Sequence, residues 1–483
     1  MGKIHEECGV FGIIGAGISE SVWAAYFALY ALQHRGQESC GIALNCGGYI
    51  CGHADTGLVN EVFSKDKIEE ICREVERRVP DEGITTAIGH VRYGTTGTSS
   101  RANAQPMVVF HHSGTMALAH NGNLTNAAEL REELELNGAI FHSSSDTEVI
   151  SYIITKERVK KPSLADAVMA AVKRLKGAYS LVITSGNELV AVRDIHGFRP
   201  LCIGKLNAGY VFASESCALD SVGAEFVRDV LPGEIIIADK NGLRSIKDMC
   251  NTAPMSLCVF EYIYFARPDS VIEGASVHFV RQKLGEYLAS EHAIEADVVI
   301  GVPDSGLDSA VGYAKASGIP YEIGFIKNKY IGRSFIRPTQ AQRQNDVRIK
   351  LNPIARVVSG KRVVMIDDSI VRGTTSARIV RLLREVGAKQ VHVRVTAPPF
   401  INACYFGTDI DSPEYLIASK HSPQEISKLI GADSLGFLDI RCIKELGKEL
   451  NIGFCDACFS GNYPVMPRKI DNKAKFERKI ELD

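Results

Sequence analysis

Cys8, in the segment EECGVFG, is the first residue whose type could do chemistry: its thiolate would be a competent nucleophile toward an amide carbonyl. Alone, it could equally be a buried structural thiol. Three segments follow at wide intervals: HVRYGTTG (His90 to Gly97), HNGN (His120 to Asn123) and SSDTE (Ser144 to Glu148). Each lies beside an expected strand end or helix start. Taken singly they have plain uses. Asn121-Gly122 suits a hairpin turn, Arg92 an ordinary ion pair, and Asp146 a first helical turn, where the helix dipole favours an acid. Residues 363–376, VVMIDDSIVRGTTS, carry a different chemistry. An apolar strand ends in Asp367 and Asp368, and a short loop then opens onto a helix. The GTTS segment puts backbone N–H groups at a helix N-terminus, a ready phosphate site. The paired acids suit ribose hydroxyls and a divalent cation, because hard oxygen ligands select Mg²⁺. FCDACFSG, with Cys455 and Cys458 in C-x-x-C spacing, is by itself open among zinc, iron–sulfur and redox roles.

The elements that must position these residues change in texture along the chain. From residue 8 to about 245, short runs rich in Val, Ile, Thr and Tyr (TTAIGHVRYG, TMALAHNG, YSLVITS) are punctuated by Gly and Asn. They read as strands of a layered domain, with two or three helices interleaved. One helix starts at Ser145, where Ser145 and Glu148 have capping-box spacing. From about 250 to 440 the rhythm is strand then helix: ADVVIGVP before Leu307–Ala316, KRVVMIDDS before SARIVRLLREVGA, then VHVRVTAPP. That alternation indicates a parallel α/β sheet. The apolar run Val22–Leu32 is too short to span a bilayer and reads as a buried amphipathic helix. The final stretch, PRKIDNKAKFERKIELD, is a charged tail.

A length of 483 residues allows two to four domains. The formal net charge of −2 implies no nucleic-acid or anionic-membrane partner. The N-terminus lacks a signal-peptide pattern, and the 13 cysteines are scattered without a secretory context, so the expected address is the cytoplasm.

Together, the four segments from Cys8 to Glu148 resemble the class II glutamine amidotransferases, which have the four-layer αββα fold of N-terminal nucleophile hydrolases. The resemblance implies removal of residues 1–7 as a propeptide, leaving the α-amine of Cys8 as general base. It implies Arg92 for the glutamine α-carboxylate, Asp146 for its α-ammonium, and the Asn121 side chain with the Gly122 backbone for the oxyanion. Arg35, in LQHRGQES, should lie near this pocket. Residues 363–376 resemble the signature of type I phosphoribosyltransferases, parallel α/β enzymes that bind phosphoribosyl pyrophosphate (PRPP). That likeness implies PRPP contacts from Asp367, Asp368, Ser369, Arg372, Gly373, Thr374, Thr375 and Ser376. It also makes GVPDSG (Gly301 to Gly306) a pyrophosphate loop. Ser305 joins Asp367 and Asp368 around one Mg²⁺ per subunit. The cationic stretch Lys327–Lys350, including Lys327 and Arg333, becomes a lid over the pyrophosphate.

A glutaminase and a PRPP site in one chain resemble the glutamine-dependent phosphoribosyl amidotransferases. The expected segments are a propeptide (1–7), a glutaminase domain (8–245), a phosphoribosyltransferase domain (246–445) and a C-terminal cluster-binding segment with a tail (446–483). An apolar ammonia passage is expected, with Tyr262, Tyr330 and Phe335 as lining. This family has two kinds, and residues ahead of Cys8, together with Cys258, Cys404, Cys455 and Cys458, resemble the kind holding one [4Fe–4S] cluster per subunit. Cys250 and Cys442 are disfavoured rivals. The family further implies a homotetramer with feedback inhibition by purine nucleotides. Other glutamine amidotransferases lack the 363–376 loop. A PRPP-sensing repressor would want a basic face and would not need Cys8, Arg92 and Asp146.

Overall fold

The computed structural model describes residues 8–79, 83–93, 101–161, 163–328, 351–410 and 412–466. Two antiparallel sheets form its first half. In one, seven strands lie in the order Glu225–Asp229, Cys202–Leu206, Gly209–Ala213, Gly9–Ile14, Thr85–Arg92, Ser39–Cys46 and Tyr49–Thr56. In the other, six lie in the order Gly242–Ile246, Ile235–Asp239, Glu188–Arg193, Gly177–Ser185, Met116–Leu124 and Met107–Val109. Alternation of side chains along each strand then sorts residues into layers. Val10, Ala43, Ile88 and Phe212 of one sheet meet Ala117, Ala119, Val182 and Ala191 of the other. The opposite parity, Phe11, Ile42, Leu44, Ala87 and Val91, packs beneath helices Ile18–Ala31 and Lys65–Arg78. Leu118, Leu181, Ile183 and Val190 pack beneath helices Asp146–Arg158 and Leu164–Val172. The order is helix, sheet, sheet, helix, the αββα architecture expected.

Three local expectations need correction. Seven α-helices interleave with these strands among the described residues, more than the two or three expected. Lys65–Arg78 is strongly charged, but Ile68, Ile71, Cys72 and Val75 give it one apolar stripe that buries. Helix Ile18–Ala31 does bury Val22, Ala25, Ala28 and Leu29, yet its outer face is aromatic rather than polar: Phe27 and Tyr30 are about half exposed and stack with Trp23 and Tyr26. At Ser145 the hydroxyl accepts from the Thr147 N–H. Glu148 reaches past the cap, to the N–H groups of His142 and Ser143, so no reciprocal capping box forms.

In the second half, four parallel strands lie in the order Val298–Gly301, Arg362–Asp367, Gln390–Val395 and Ser434–Phe437. Helices Gly306–Ser317 and Thr374–Glu385 each follow a strand, as the alternation requires. Both chemistry-bearing loops therefore open at the carboxyl ends of neighbouring strands, where open α/β sheets bind ligands. The strand Leu257–Cys258 pairs in parallel with Phe454–Cys455, stitching the C-terminal segment back to the start of this half. No helix among the described residues is long and apolar enough to cross a membrane.

Candidate active sites

The first site lies at one end of the gap between the two antiparallel sheets. Cys8 immediately precedes the strand Gly9–Ile14; its Sγ donates to the Tyr93 carbonyl at 3.7 Å. Arg92 closes the strand Thr85–Arg92 with the parity of Ile88, so it faces the gap. It is buried and paired with Glu38 at 2.5 Å. Asn121 has the parity of Ala117 and Ala119 and also faces the gap. Its Nδ2 is buried with no hydrogen-bond partner, a donor waiting for an acceptor that is not part of the protein's own structure. Gly122 has φ of +132°, and a Cβ there would lie 2.3 Å from the Ala178 carbonyl oxygen, so glycine is required. Asn121-Gly122 thus lies inside a continuously paired strand and not in a hairpin turn. His90, two residues before Arg92, meets the His120 carbonyl at 2.9 Å, one residue before Asn121, and so staples the two strands across the gap. Burial holds His90 neutral, its pKa lowered to about 3.

Asp146 is the first residue of its helix. One carboxylate oxygen accepts from the Leu124 N–H at 3.0 Å, and the other lies 3.4 Å from His120 Nδ1. Burial pushes its carboxyl up, but His120 and the N–H groups of Leu124 and Thr147 outweigh that and hold it below the ordinary carboxylate range. Sequence reasoning singled out neither Glu38 nor His120, although both stand inside segments that it quoted.

At the second site, the Ser305 hydroxyl donates to Asp368 at 2.6 Å, and the Asp368 N–H donates to the Asp367 carboxylate at 3.1 Å. Ser369 also donates to Asp368. Two loops distant in sequence thus converge because their strands are neighbours. Gly373, at φ of +76°, turns the chain into helix Thr374–Glu385, whose first turn holds Thr374, Thr375 and Ser376. The Arg372 guanidinium lies over the Tyr415 ring. Lys327 pairs with Asp304 of GVPDSG. The stretch 329–350, with Tyr330, Arg333 and Phe335, lies outside the described residues, as do residues 1–7 and 467–483. Among the described residues, no three His, Cys, Asp or Glu side chains converge to hold a metal ion by themselves. Two carboxylates and a hydroxyl nonetheless suit Mg²⁺, which usually keeps waters and takes further oxygens from its substrate.

Cys258, Cys404, Cys455 and Cys458 line one pocket, closed by Phe198, Phe260, Phe406 and Tyr463. Cys258 stands opposite Cys455 in the parallel pair. Burial, and then the neighbouring thiols, push Cys458 well above the ordinary thiol range, and burial raises Cys455 to about 12. Four thiols gathered in a largely apolar pocket fit a [4Fe–4S] cubane, which turns them into thiolate ligands and spaces them more widely than a single ion does. Cys442 lies elsewhere, donating to Glu291 at 3.3 Å, and Cys250 is not part of the pocket lining.

Arg35 joins the two halves. At zero exposure it donates to the Cys8 carbonyl (2.9 Å), to Glu215 (2.6 Å) and, through two N–H groups, to Glu261 (2.9 and 2.8 Å). Arg199 also reaches Glu261, at 3.4 Å, and binds the Phe406 carbonyl at 2.8 Å. Tyr262, expected to line a passage, is fully buried, with its hydroxyl donating to the Ile272 carbonyl at 2.6 Å.

Residues 90–221 match the glutamine amidotransferase domain family, and residues 275–407 match the phosphoribosyl transferase domain family. The amidophosphoribosyltransferase of Bacillus subtilis is 48% identical over 467 residues, covering 96% of this chain and 95% of that protein. The amidophosphoribosyltransferase of Archaeoglobus fulgidus is 45% identical over 460 residues, covering 95% and 98%. Among solved structures, the glutamine PRPP amidotransferase of B. subtilis, complexed with ADP and GMP, superposes with a TM-score of 0.87 at 46% identity, covering 96% of this chain and 98% of that one.

Proposed function

Because this chain belongs to the amidophosphoribosyltransferase family, we propose that its two sites divide one reaction. The chain is a glutamine-dependent PRPP amidotransferase of purine biosynthesis, a pentosyltransferase that forms 5-phosphoribosylamine, glutamate and pyrophosphate. With residues 1–7 removed, the α-amine of Cys8 takes the thiol proton and Sγ attacks the glutamine amide. Arg92 holds the α-carboxylate and Asp146 the α-ammonium. Asn121 Nδ2 and the Gly122 N–H receive the oxyanion. Ammonia leaves with the proton returned by the α-amine, and water then releases glutamate from the thioester.

In the second pocket, Asp367 and Asp368 hold the ribose hydroxyls. The N–H groups of Gly373 to Ser376 hold the 5-phosphate, with Ser369 and Arg372 beside it. Lys327 and Arg333 neutralise the pyrophosphate as ammonia displaces it at the anomeric carbon. Mg²⁺, one per subunit and held by Ser305, Asp367 and Asp368, supplies further charge neutralisation when bound. The lid Lys327–Lys350 excludes water. Ammonia crosses an apolar passage near Tyr262, Tyr330 and Phe335.

The wider proposal retains four segments, 1–7, 8–245, 246–445 and 446–483, as propeptide, glutaminase, phosphoribosyltransferase and cluster-bearing tail. One [4Fe–4S] cluster per subunit, on Cys258, Cys404, Cys455 and Cys458, ties that tail to the body. A cytoplasmic homotetramer completes it; its feedback control by purine nucleotides is supported by the ADP and GMP in the B. subtilis structure.

The observation that carries the coupled reading is Arg35, one buried guanidinium that grips both the Cys8 carbonyl and Glu261 of the second half. Glutamate release from glutamine, measured with and without PRPP, tests it. PRPP should accelerate release; no hydrolysis under either condition would return the chain to the class of PRPP-sensing regulators.

A further inference from the structure

We propose that His120 is a positioning residue for glutamine hydrolysis: its ring holds the Asp146 carboxylate in the orientation that receives the α-ammonium of glutamine. The proposal rests on the assignment of Asp146 to that ammonium. His120 has the opposite parity to Asn121 and turns toward the helix side, where Leu118 packs. Its Nδ1 lies 3.4 Å from Asp146 Oδ1 and 3.3 Å from Thr147 Oγ1, and its Nε2 lies 3.4 Å from the Ala178 carbonyl. Both ring nitrogens thus face oxygen atoms, and Nδ1 is the one beside Asp146. Among the side chains of the described residues, it is the His120 ring that stands beside the Asp146 carboxylate, with Nδ1 3.4 Å from Oδ1.

The ring itself is pinned. The His120 N–H donates to Gln105 at 2.8 Å, and its carbonyl meets His90 at 2.9 Å. The next residue is Asn121, whose unpartnered Nδ2 awaits the oxyanion. One short stretch of strand therefore fixes two subsites at once: the amide end of glutamine through Asn121, and the ammonium end through His120 and Asp146. Without the ring, a carboxylate buried at 6% exposure would lose the contact that orients its Oδ1 before substrate arrives.

The alternative is an ordinary satisfied core histidine, and the two are separable. Glutaramate keeps the carboxylate and the amide of glutamine but lacks the α-ammonium. For the processed, full-length enzyme, kcat/KM should be measured for glutamine and for glutaramate in His120→Leu, His120→Asn and Asp146→Asn. A lost charge-assisted hydrogen bond corresponds to roughly 10- to 100-fold. His120→Leu should raise KM for glutamine by about that factor and collapse the preference for glutamine over glutaramate. His120→Asn, which still offers an N–H where Nδ1 stands, should restore most of the preference. If His120→Leu depresses both substrates alike, His120 is only a core residue and the proposal fails. If Asp146→Asn leaves the preference intact, the ammonium assignment itself fails, and this proposal with it. Should turnover be too low to read, alkylation of Cys8 substitutes for it. His120→Leu should slow labelling by 6-diazo-5-oxonorleucine, which carries the α-ammonium, and not labelling by iodoacetamide; equal slowing of both overturns the proposal.

Discussion

Replacing Asn121 with leucine should remove activity and not cost stability. Leucine has the same branched side chain of four heavy atoms, so the substitution leaves no cavity. Asn121 Nδ2 is buried and unpartnered, and leaving such a group unsatisfied costs the folded state about 1–3 kcal/mol. Leucine relieves that cost. In the proposed mechanism the same N–H is the donor to the developing oxyanion, and losing one such donor lowers kcat by about 10²–10³, roughly 2.7–4 kcal/mol. The two effects have opposite signs because the donor is unsatisfied in the ground state and used at the barrier. The assay is glutamate release with PRPP present, alongside a denaturation midpoint and synthesis driven by ammonia from solution, which bypasses the first site. Glutamine-driven turnover should fall by two to three orders of magnitude, mainly in kcat, at an unchanged or raised midpoint. A fall below threefold in kcat, or a rate loss matched by a loss of stability, would refute the oxyanion reasoning.

Three further outcomes are expected. Asp367→Asn combined with Asp368→Asn should cut PRPP turnover by about 10²-fold or more, because the ribose hydroxyls and Mg²⁺ lose their anionic ligands; glutamate release without PRPP should persist, and a discontinuous assay of pyrophosphate and glutamate checks both. Cys458→Ser should abolish bound iron in anaerobically purified protein, whereas Cys442→Ser should leave it, as metal analysis and intact mass will show. Asp229 is held up to about 7 by burial and then by the charge of Glu273, against an ordinary 3.8. Between those values the folded state binds the proton and the unfolded chain does not, so stability falls as pH rises through that window and the cost is complete above about 7. Asp229→Asn should flatten this slope and raise the denaturation midpoint at pH 8, by an amount bounded at about 4 kcal/mol, with little effect below pH 4.

The parts of both sites legible in the sequence were those in which one short segment holds the whole device. Residues 363–376 contain the strand, the acids and the phosphate-binding turn, so spacing alone located them. Arg92 and Asp146 were assigned only through the joint resemblance of four dispersed segments, because each alone has a plain structural use. What escaped was decided by contacts across the chain. Glu38 became the partner of Arg92 because the strands that carry or border them are paired, and local spacing says nothing of pairing. Glu148 was drawn to the N–H groups of His142 and Ser143 and away from a capping box, because the preceding loop folds back over the helix end. The aromatic outer face of Ile18–Ala31 defeated a simple amphipathic reading, since hydrophobicity alone does not say which apolar face is covered.

The Arg35 cluster is the clearest case of a feature no local pattern could reveal, and its energetics bear on why it exists. Arg35, Glu215, Glu261 and Arg199 are fully buried side chains, drawn from four separate parts of the chain. Arg35 and Arg199 oppose Glu215 and Glu261, so the charges balance. Taking four charges out of water costs several kcal/mol each, and their mutual attraction repays this only when geometry and hydrogen bonding are nearly complete. Here the geometry is close to complete: Glu215 also accepts from His34 at 2.7 Å and Ser270 at 2.6 Å, and the attraction of His34 and Arg35 overcomes burial to hold its carboxyl well below the ordinary range. An apolar cluster of the same volume would hold the halves together as well. It could not present a hydrogen bond to the Cys8 carbonyl from the same group that fixes the relative position of Glu261. Glu261 begins the π-helical turn Glu261–Phe265, whose exit carbonyls at Tyr262, Tyr264 and Ala266 are bound by Arg281. Arg281 in turn stands 3.8 Å from Asp308, three residues beyond Ser305. Charged and carbonyl contacts therefore run without a gap from the backbone of the nucleophile to the helix beside the pyrophosphate loop. Removing Arg35 would take from buried Glu261 its hydrogen bonds of 2.9 and 2.8 Å. The two halves are consequently held in one relative placement, which the proposed ammonia passage would require.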